Sequence, residues 1–417
     1  MRLTTEALGG VLRDGPFRSF WGAFMLSGIG DAMTKTALVW YVLETTNSAS
    51  AVGLLLLAYA GPVSIGGLIA GHLLDRFDRR RVMLVDNVGR GLVVASVPIA
   101  AATGNLMLWH VYVAAALYGL LFMISLAGTP TLIPSLVRKD QLNAANSLET
   151  LGFTVSGVAG PALAGFLIGG ISAPYVLAVD SVTYFAFALV LATLPLRSEA
   201  EPTATTKTSS YRLTDAVRLL LGNSVLLSTT LMFMAFNAGS GFLQVWLPLH
   251  ANALASGDGA QLYGILLAVL AAGETIGALG AGTLSGPLSE GRMICAAQIL
   301  AGLGLGLALV GQSVWSTAPA LFLLGFFSGP MTAWAQTLRM RIIPPELHGR
   351  SFALLRMLMQ ASAPAFSAIG GVLFPVVGLT AMIGMSVGLI AAPGVVGTRV
   401  RSLVASTTPV DRDLGGW

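Results

Sequence analysis

The chain has 417 residues, 55% hydrophobic and only 10% charged, with a mean hydropathy of +0.78 and a formal net charge of +4. Soluble proteins carry about 25% charged residues, so a soluble enzyme is excluded, as is a nucleic-acid-binding domain with a basic face. The single cysteine, Cys295, rules out an intrachain disulfide and a thiol-based metal cluster. No metal or other cofactor is expected.

About 20 apolar residues cross a bilayer as a helix. Twelve such stretches follow one another, at 17–44, 50–73, 82–103, 107–129, 147–171, 174–196, 224–250, 260–284, 292–311, 316–340, 351–374 and 377–397. The first apolar run is too long for a cleavable signal. The expected fold is an all-α membrane protein of twelve transmembrane helices in two six-helix bundles. Fifty glycines suit helices that approach closely in lipid.

Lys and Arg collect at Arg2, Arg13 and Arg18, in loop 76–81, at Arg138 and Lys139, in 197–218, and at Arg292, Arg339, Arg341, Arg350 and the tail. The alternate loops, near 45–49, 104–108, 171–174, 251–259, 312–316 and 375–377, hold none. This one-sidedness predicts both termini on the cytoplasmic side of a cell (inner) membrane, in a multi-pass arrangement. The domain bounds are then 1–196 for the first bundle, 197–223 for a cytoplasmic linker, 224–400 for the second bundle and 401–417 for a tail. Residues 197–210 are polar and include Pro202, as a flexible linker requires. Residues 211–221 can form a short amphipathic helix on the membrane surface.

The halves repeat. An offset of 211 residues lays Gly53, Gly66 and Gly71 over Gly264, Gly277 and Gly282, with Leu55, Leu56, Ala60 and Leu68 over Leu266, Leu267, Ala271 and Leu279. Two six-helix repeats describe a major class of secondary transporters that bind substrate between the halves.

A charge at the centre of a span costs at least about 2.5–3.5 kcal/mol on insertion scales, so each one needs a reason. Asp31 and Lys35 are four apart on the first span and share a face, where they can pair permanently or exchange partners during transport. Glu274 lies near the middle of the eighth span between Gly273 and Gly277. Asp180 falls about two turns from one end of the sixth span, a position that also suits an interfacial or capping group. These four are the candidates for proton coupling or substrate binding. Asp86 and Arg90, and likewise Arg339, Arg341 and Arg356, read as braces near the cytoplasmic face. Trp40, Tyr118, Asn237, Gln244, Trp246, Trp334 and Gln336 are candidates to line a cavity, which would suit bulky amphipathic or cationic ligands. The pattern Gly28-Ile-Gly-Asp31 also occurs in intramembrane aspartyl proteases, but their second aspartate, within Tyr-Asp, has no counterpart here.

Residues 71–83 place four arginines in a short loop between apolar runs. Gly71, Leu73, Asp75, Arg76, Arg79 and Arg80 match a loop signature of the major facilitator superfamily, which the whole chain resembles; Asp78 stands where a second glycine is usual. Residues 27–31, 133–137, 143–147 and 160–165 resemble its macrolide-efflux and siderophore-exporter branch. The resemblance implies alternating access, a small-molecule substrate and proton coupling. It also implies a cytoplasmic gate at Gly71, Asp75, Arg76, Arg79 and Arg80, with Asp75 latched near the start of the eleventh span at Ser351. Two features depart from the antiporter pattern. The fourth span has His110 but no arginine, and Ser156 and Ala164 replace glycines around Gly160-Pro161. The chain is read as a monomeric exporter of a small amphipathic compound and not as an enzyme. A lipid or lysolipid translocator on the same fold is the alternative. A receptor or membrane enzyme is a weaker one, since no ATP-binding, metal or nucleophile motif is present.

Overall fold

The computed structural model describes residues 5–195, 213–255, 257–281, 289–344 and 347–405. Residues 197–212 of the expected 197–223 linker, residues 282–288 and the tail from 406 lie outside the described residues.

Elsewhere the chain is helical. A short α1 (Thr5–Leu12), not anticipated from hydropathy, precedes α2 (Gly15–Thr46), which has Pro16 in its first turn and is capped by Asn47 with a left-handed φ of 46°. The Ser48 hydroxyl caps α3 (Ala49–Arg76) by accepting from the Ala51 amide at 3.3 Å. Asp78 caps α4 (Arg79–Ala102) by accepting from the Arg81 amide at 2.8 Å. The residue that departs from the loop signature therefore starts the next helix. Then follow α5 (Leu108–Leu136), α6 (Leu142–Ile171), which runs unbroken through Pro161, α7 (Ala173–Thr193) and α8 (Leu213–Gly222). The remainder comprises α9 (Ser224–Leu254), α10 (Gly259–Ala281), α11 (Glu290–Leu305), α12 (Val314–Ile342), α13 (His348–Gly397) and α14 (Arg401–Val404). A 3₁₀ turn, Gly306–Leu309, tightens the chain after α11. α13 has two arms that meet at Gly378, whose φ of 75° only glycine adopts readily.

Among the described residues, nine helices are long and apolar enough to cross a membrane. α2, with Arg18, Asp31, Lys35 and Glu44 along its 32 residues, is not one of them.

Two compact units form. The first holds Met1–Thr205 and Leu247–Ala268. In it α2 packs on α6 and α7, α3 on α5, and α4 on α5 and α7. Its apolar core includes Phe17, Phe20, Met83, Ile133 and Phe187, with Val11 of α1 fully buried among them. The segment 247–268, which ends α9 and begins α10, joins this unit: Trp40 stacks on Tyr263 with ring centroids 6.3 Å apart, and the Gly165 and Gly264 backbones abut.

The second unit holds Thr206–Trp246 and Val269–Trp417. There α11 packs on α12 and α13, and Ile294, Cys295, Met331 and Ala335 form a core that Leu403 of α14 enters. Helix α8 buries Ala216 and Leu220 against Leu226, Ile343 and Leu355.

The repeat recurs in helix packing. In the first unit a Cβ at Gly66 would strike the Leu120 carbonyl, and one at Gly119 the Tyr59 carbonyl. In the second, Gly277 meets the Phe326 carbonyl and Gly325 the Leu270 carbonyl. Tyr59 and Gly66 map onto Leu270 and Gly277 at the same 211-residue offset. Paired glycines thus bring α3 to α5, and α10 to α12, at backbone contact.

Candidate functional site: a buried arginine cluster in the first unit

Helices α2, α4, α5 and α7 converge on Arg90, whose side chain is 1% exposed. Its Nη1 lies 3.2 Å from Asp31 Oδ1 and donates to the Tyr184 hydroxyl at 3.1 Å. Its Nη2 lies 2.8 Å from Asp86 Oδ2 and donates to Ser125 Oγ. Ser125 in turn donates to Asp86 Oδ2 at 2.7 Å. The Tyr118 hydroxyl donates to Asp31 Oδ1 at 2.6 Å, and the Tyr184 hydroxyl donates to the same oxygen. The guanidinium also lies 4.5 Å from the Tyr184 ring centroid, a cation–π contact. Asp31 is thus one carboxylate shared by an arginine and two phenols.

The two acids on Arg90 differ in access. The Asp86 side chain is fully buried, whereas that of Asp31 is 20% exposed. Asp31 and Arg90 line a small cavity together with Phe24, Ser27, Phe122 and Phe153. Asp86 Oδ1 and Arg90 Nε have no hydrogen-bond partner among the described residues.

Asp180 adds a second polar link between α2 and α7. It is completely buried and accepts from Thr34 Oγ1 at 2.5 Å and from Thr183 Oγ1 at 3.1 Å. Gly30 makes room for it, because a Cβ there would meet the Asp180 carboxylate and Thr183 Oγ1. The glycine before Asp31 therefore serves packing between α2 and α7.

Several sequence expectations change. Asp31 does not pair with Lys35 but with Arg90, since helix rotation turns Asp31 into the bundle. Lys35 is exposed, and its ammonium lies 5.8 Å from the Tyr59 ring centroid. Asp86 and Arg90 do pair four residues apart, yet they are no brace near a face. Arg90 sits about 16 Å into α4 at 1.5 Å per residue, near the helix midpoint, and this rise was the signal available in the sequence. Asp180 is no interfacial or capping group. Tyr184, Ser125 and Thr34 had no distinguishing sequence signal.

The other candidates scatter. Glu274 is exposed on α10. Of the cavity candidates only Tyr118 joins the cluster. Trp40 packs on Tyr263, Trp246 donates to Ser386 Oγ at 3.2 Å, and Trp334 donates to the Ala281 carbonyl at 3.2 Å. Asn237 and Gln244 are half-buried, and Gln336 lines a separate cavity in the second unit.

Within its own unit, the signature loop ties helix ends together. Arg80 donates to the Leu191 and Ala192 carbonyls of α7, and Arg79 Nη1 donates to the Thr131 carbonyl of α5 at 3.4 Å. Arg76 lies 5.8 Å from the Phe77 ring centroid, Gly71 is half-buried and Asp75 is exposed on the last turn of α3. No group of three or more His, Cys, Asp or Glu side chains suited to a metal occurs among the described residues.

The family model of the Major Facilitator Superfamily matches residues 20–368. The multidrug efflux pump Tap of Mycolicibacterium fortuitum is 25% identical over 378 residues, 88% of this chain and 91% of that protein. The enterobactin exporter EntS of Salmonella choleraesuis (strain SC-B67) is 25% identical over 337 residues, 80% of each chain. Among solved structures, the nucleoside transporter NupG aligns with a TM-score of 0.76 at 11% identity, covering 92% of this chain and 99% of that one, a likeness of fold. With its family model matched across most of its length and its helical fold shared with a transporter of known structure, the chain belongs to the Major Facilitator Superfamily of membrane transporters.

Proposed function

We propose that the protein is a proton-coupled exporter of small amphipathic compounds, with Asp31 as the residue that takes up and releases the coupling proton. The observation that carries this reading is the unequal access of the two acids on Arg90: Asp86 is sealed, and Asp31 borders a cavity. Protonation of Asp31 removes its charge and weakens its bond to Arg90, which keeps Asp86 and Ser125. The link between α2 and α4 then loosens while the one within α4 persists. Deprotonation restores it. Such a link has two states and can be biased by a proton, as a coupling element requires. Tyr118 and Tyr184 hold the Asp31 carboxylate in place.

Export of drug-like or siderophore-like molecules is supported by the relatives named for those activities. Twelve spans are supported by the nine apolar helices, by α2 and α3, and by the break that divides α13 at Gly378. The one-sided arginines support cytoplasmic termini in the cell membrane.

The test is a substrate screen in proteoliposomes with an imposed pH gradient, reading proton flux. Asp31→Asn is expected to abolish uphill export while sparing ligand binding. Accumulation at the wild-type level in that variant would remove Asp31 from the mechanism.

A further inference from the structure

The basic end of α12 holds two arginines two residues apart with opposite circumstances. Arg341 Nη1 is paired with Glu290 Oε1 at 2.8 Å. Arg339 is 3% exposed and has no carboxylate partner among the described residues. Its Nη2 donates to the Thr229 carbonyl at 3.1 Å, its guanidinium lies 4.6 Å from the Phe233 ring centroid, and its Nε is buried with no acceptor among the described residues. A charge held this deep without a counter-ion is costly unless an anion meets it.

A cavity opens beside it between α12 and α13, about 570 Å³ with the solvent at its mouth included. Gln336, Arg339 and Arg356 supply its polar lining, and Phe352, Leu355 and Met359 the apolar part. Among the described residues no acidic side chain lines it. Two guanidinium groups and the NH2 of the Gln336 amide can all donate to an oxyanion, and Arg suits carboxylate and phosphate geometry in particular. The apolar wall beside them suits a short hydrocarbon body.

We propose that this cavity binds an amphipathic anion, a phosphate or carboxylate on an apolar chain, held by Arg339 and Arg356. A transported solute and a phospholipid headgroup share that chemistry. The site lies wholly within the second unit, apart from the Arg90 cluster, and its test reads binding without flux, so it stands or falls independently of the coupling mechanism.

The experiment is calorimetric titration of hexyl phosphate into the full-length protein in phosphatidylcholine nanodiscs, with hexyltrimethylammonium as the control. Saturable binding of the phosphate alone is expected. Arg356→Gln, a change at an exposed position, should weaken it roughly tenfold, the worth of one charged hydrogen bond. Arg339→Lys should weaken it too, by keeping the charge but losing the fork. Repetition in phosphatidylglycerol nanodiscs separates the sources. Reduced apparent affinity identifies a lipid headgroup as occupant, and unchanged affinity identifies a solute. Absence of saturable binding in phosphatidylcholine, or equal binding by wild type and Arg356→Gln, overturns the proposal.

Discussion

Helices α4 and α11 are counterparts at the 211-residue offset, and they have kept their scaffold while parting in charge. Asp78 caps α4 and Ser289 caps α11, each accepting from the amide three residues on, Arg81 or Arg292. Asn87 and Gln298 are both fully buried, and each donates its side-chain amide to a methionine carbonyl, of Met83 and Met232 respectively. Gly91 and Gly302 both face a neighbouring helix at close range. Where α4 has Asp86 and Arg90, however, α11 has Ala297 and Ala301, buried at 5% and 0% exposure. The alanines show that this position packs well without charge. A buried ion pair is weak evidence for stability, and apolar side chains of similar volume often replace one without loss. Its presence in one half alone is what the proposed coupling role accounts for.

The largest expected effect comes from making α4 resemble α11 at its centre. Arg90→Met would leave Asp31 and Asp86 without their cation, and loss of one partner of a buried pair costs about 3–5 kcal/mol. Thermal unfolding in micelles should show a large fall in midpoint; a stability near wild type would mean that the cluster is not a charged unit. A matched pair of lesions probes what the halves share. Gly66→Ala and Gly277→Ala each push a methyl group into a facing carbonyl, an overpacking of about 1–3 kcal/mol. Similar losses in the two variants are expected, and tolerance of either would break the packing equivalence of α3 with α10. Glu274→Gln sharpens the contrast from the other side: an exposed acid of the second unit should change stability by no more than about 0.5 kcal/mol. Full retention of proton-driven flux in that variant would confine coupling to the first unit. Asp75→Asn should alter stability least, because the side chain is exposed. If Asp75 latches the closed cytoplasmic side, cysteine labelling should report a shift toward the inward-open state, and unchanged labelling would end the latch idea.

Much of the fold was legible because the properties that set it are local. A run of apolar residues has the length of a bilayer whatever it packs against, so helix positions were readable to within a few residues for most spans. The glycine register between residues 53–73 and 264–284 was readable for a similar reason, since close backbone approach demands a missing side chain. Boundaries were less legible. α5 runs on to Leu136 through Pro130 and Pro134, and α6 starts at Leu142, because helix ends follow capping and local contacts as well as hydropathy.

The candidate site was legible only in its ingredients. Asp31, Asp180, Asp86 and Arg90 each stood out as charges in an apolar chain, and spacing alone made neighbours of Asp31 with Lys35 and of Asp86 with Arg90. Spacing along one helix fixes which residues share a face, but not which helix that face meets. The meeting of Asp31 with Arg90, 59 residues away, and of Thr34 with Asp180, 146 away, depends on how α2, α4 and α7 are rotated about their axes. That rotation is set by packing, including the room that Gly30 leaves for Asp180. Composition, span length and the signature loop therefore determined the class of molecule from sequence alone. That Asp31 joins Asp86 on the central arginine, and that Asp31 keeps contact with a cavity, was decided by tertiary structure, because ion pairing falls off with distance in space and is indifferent to distance along the chain.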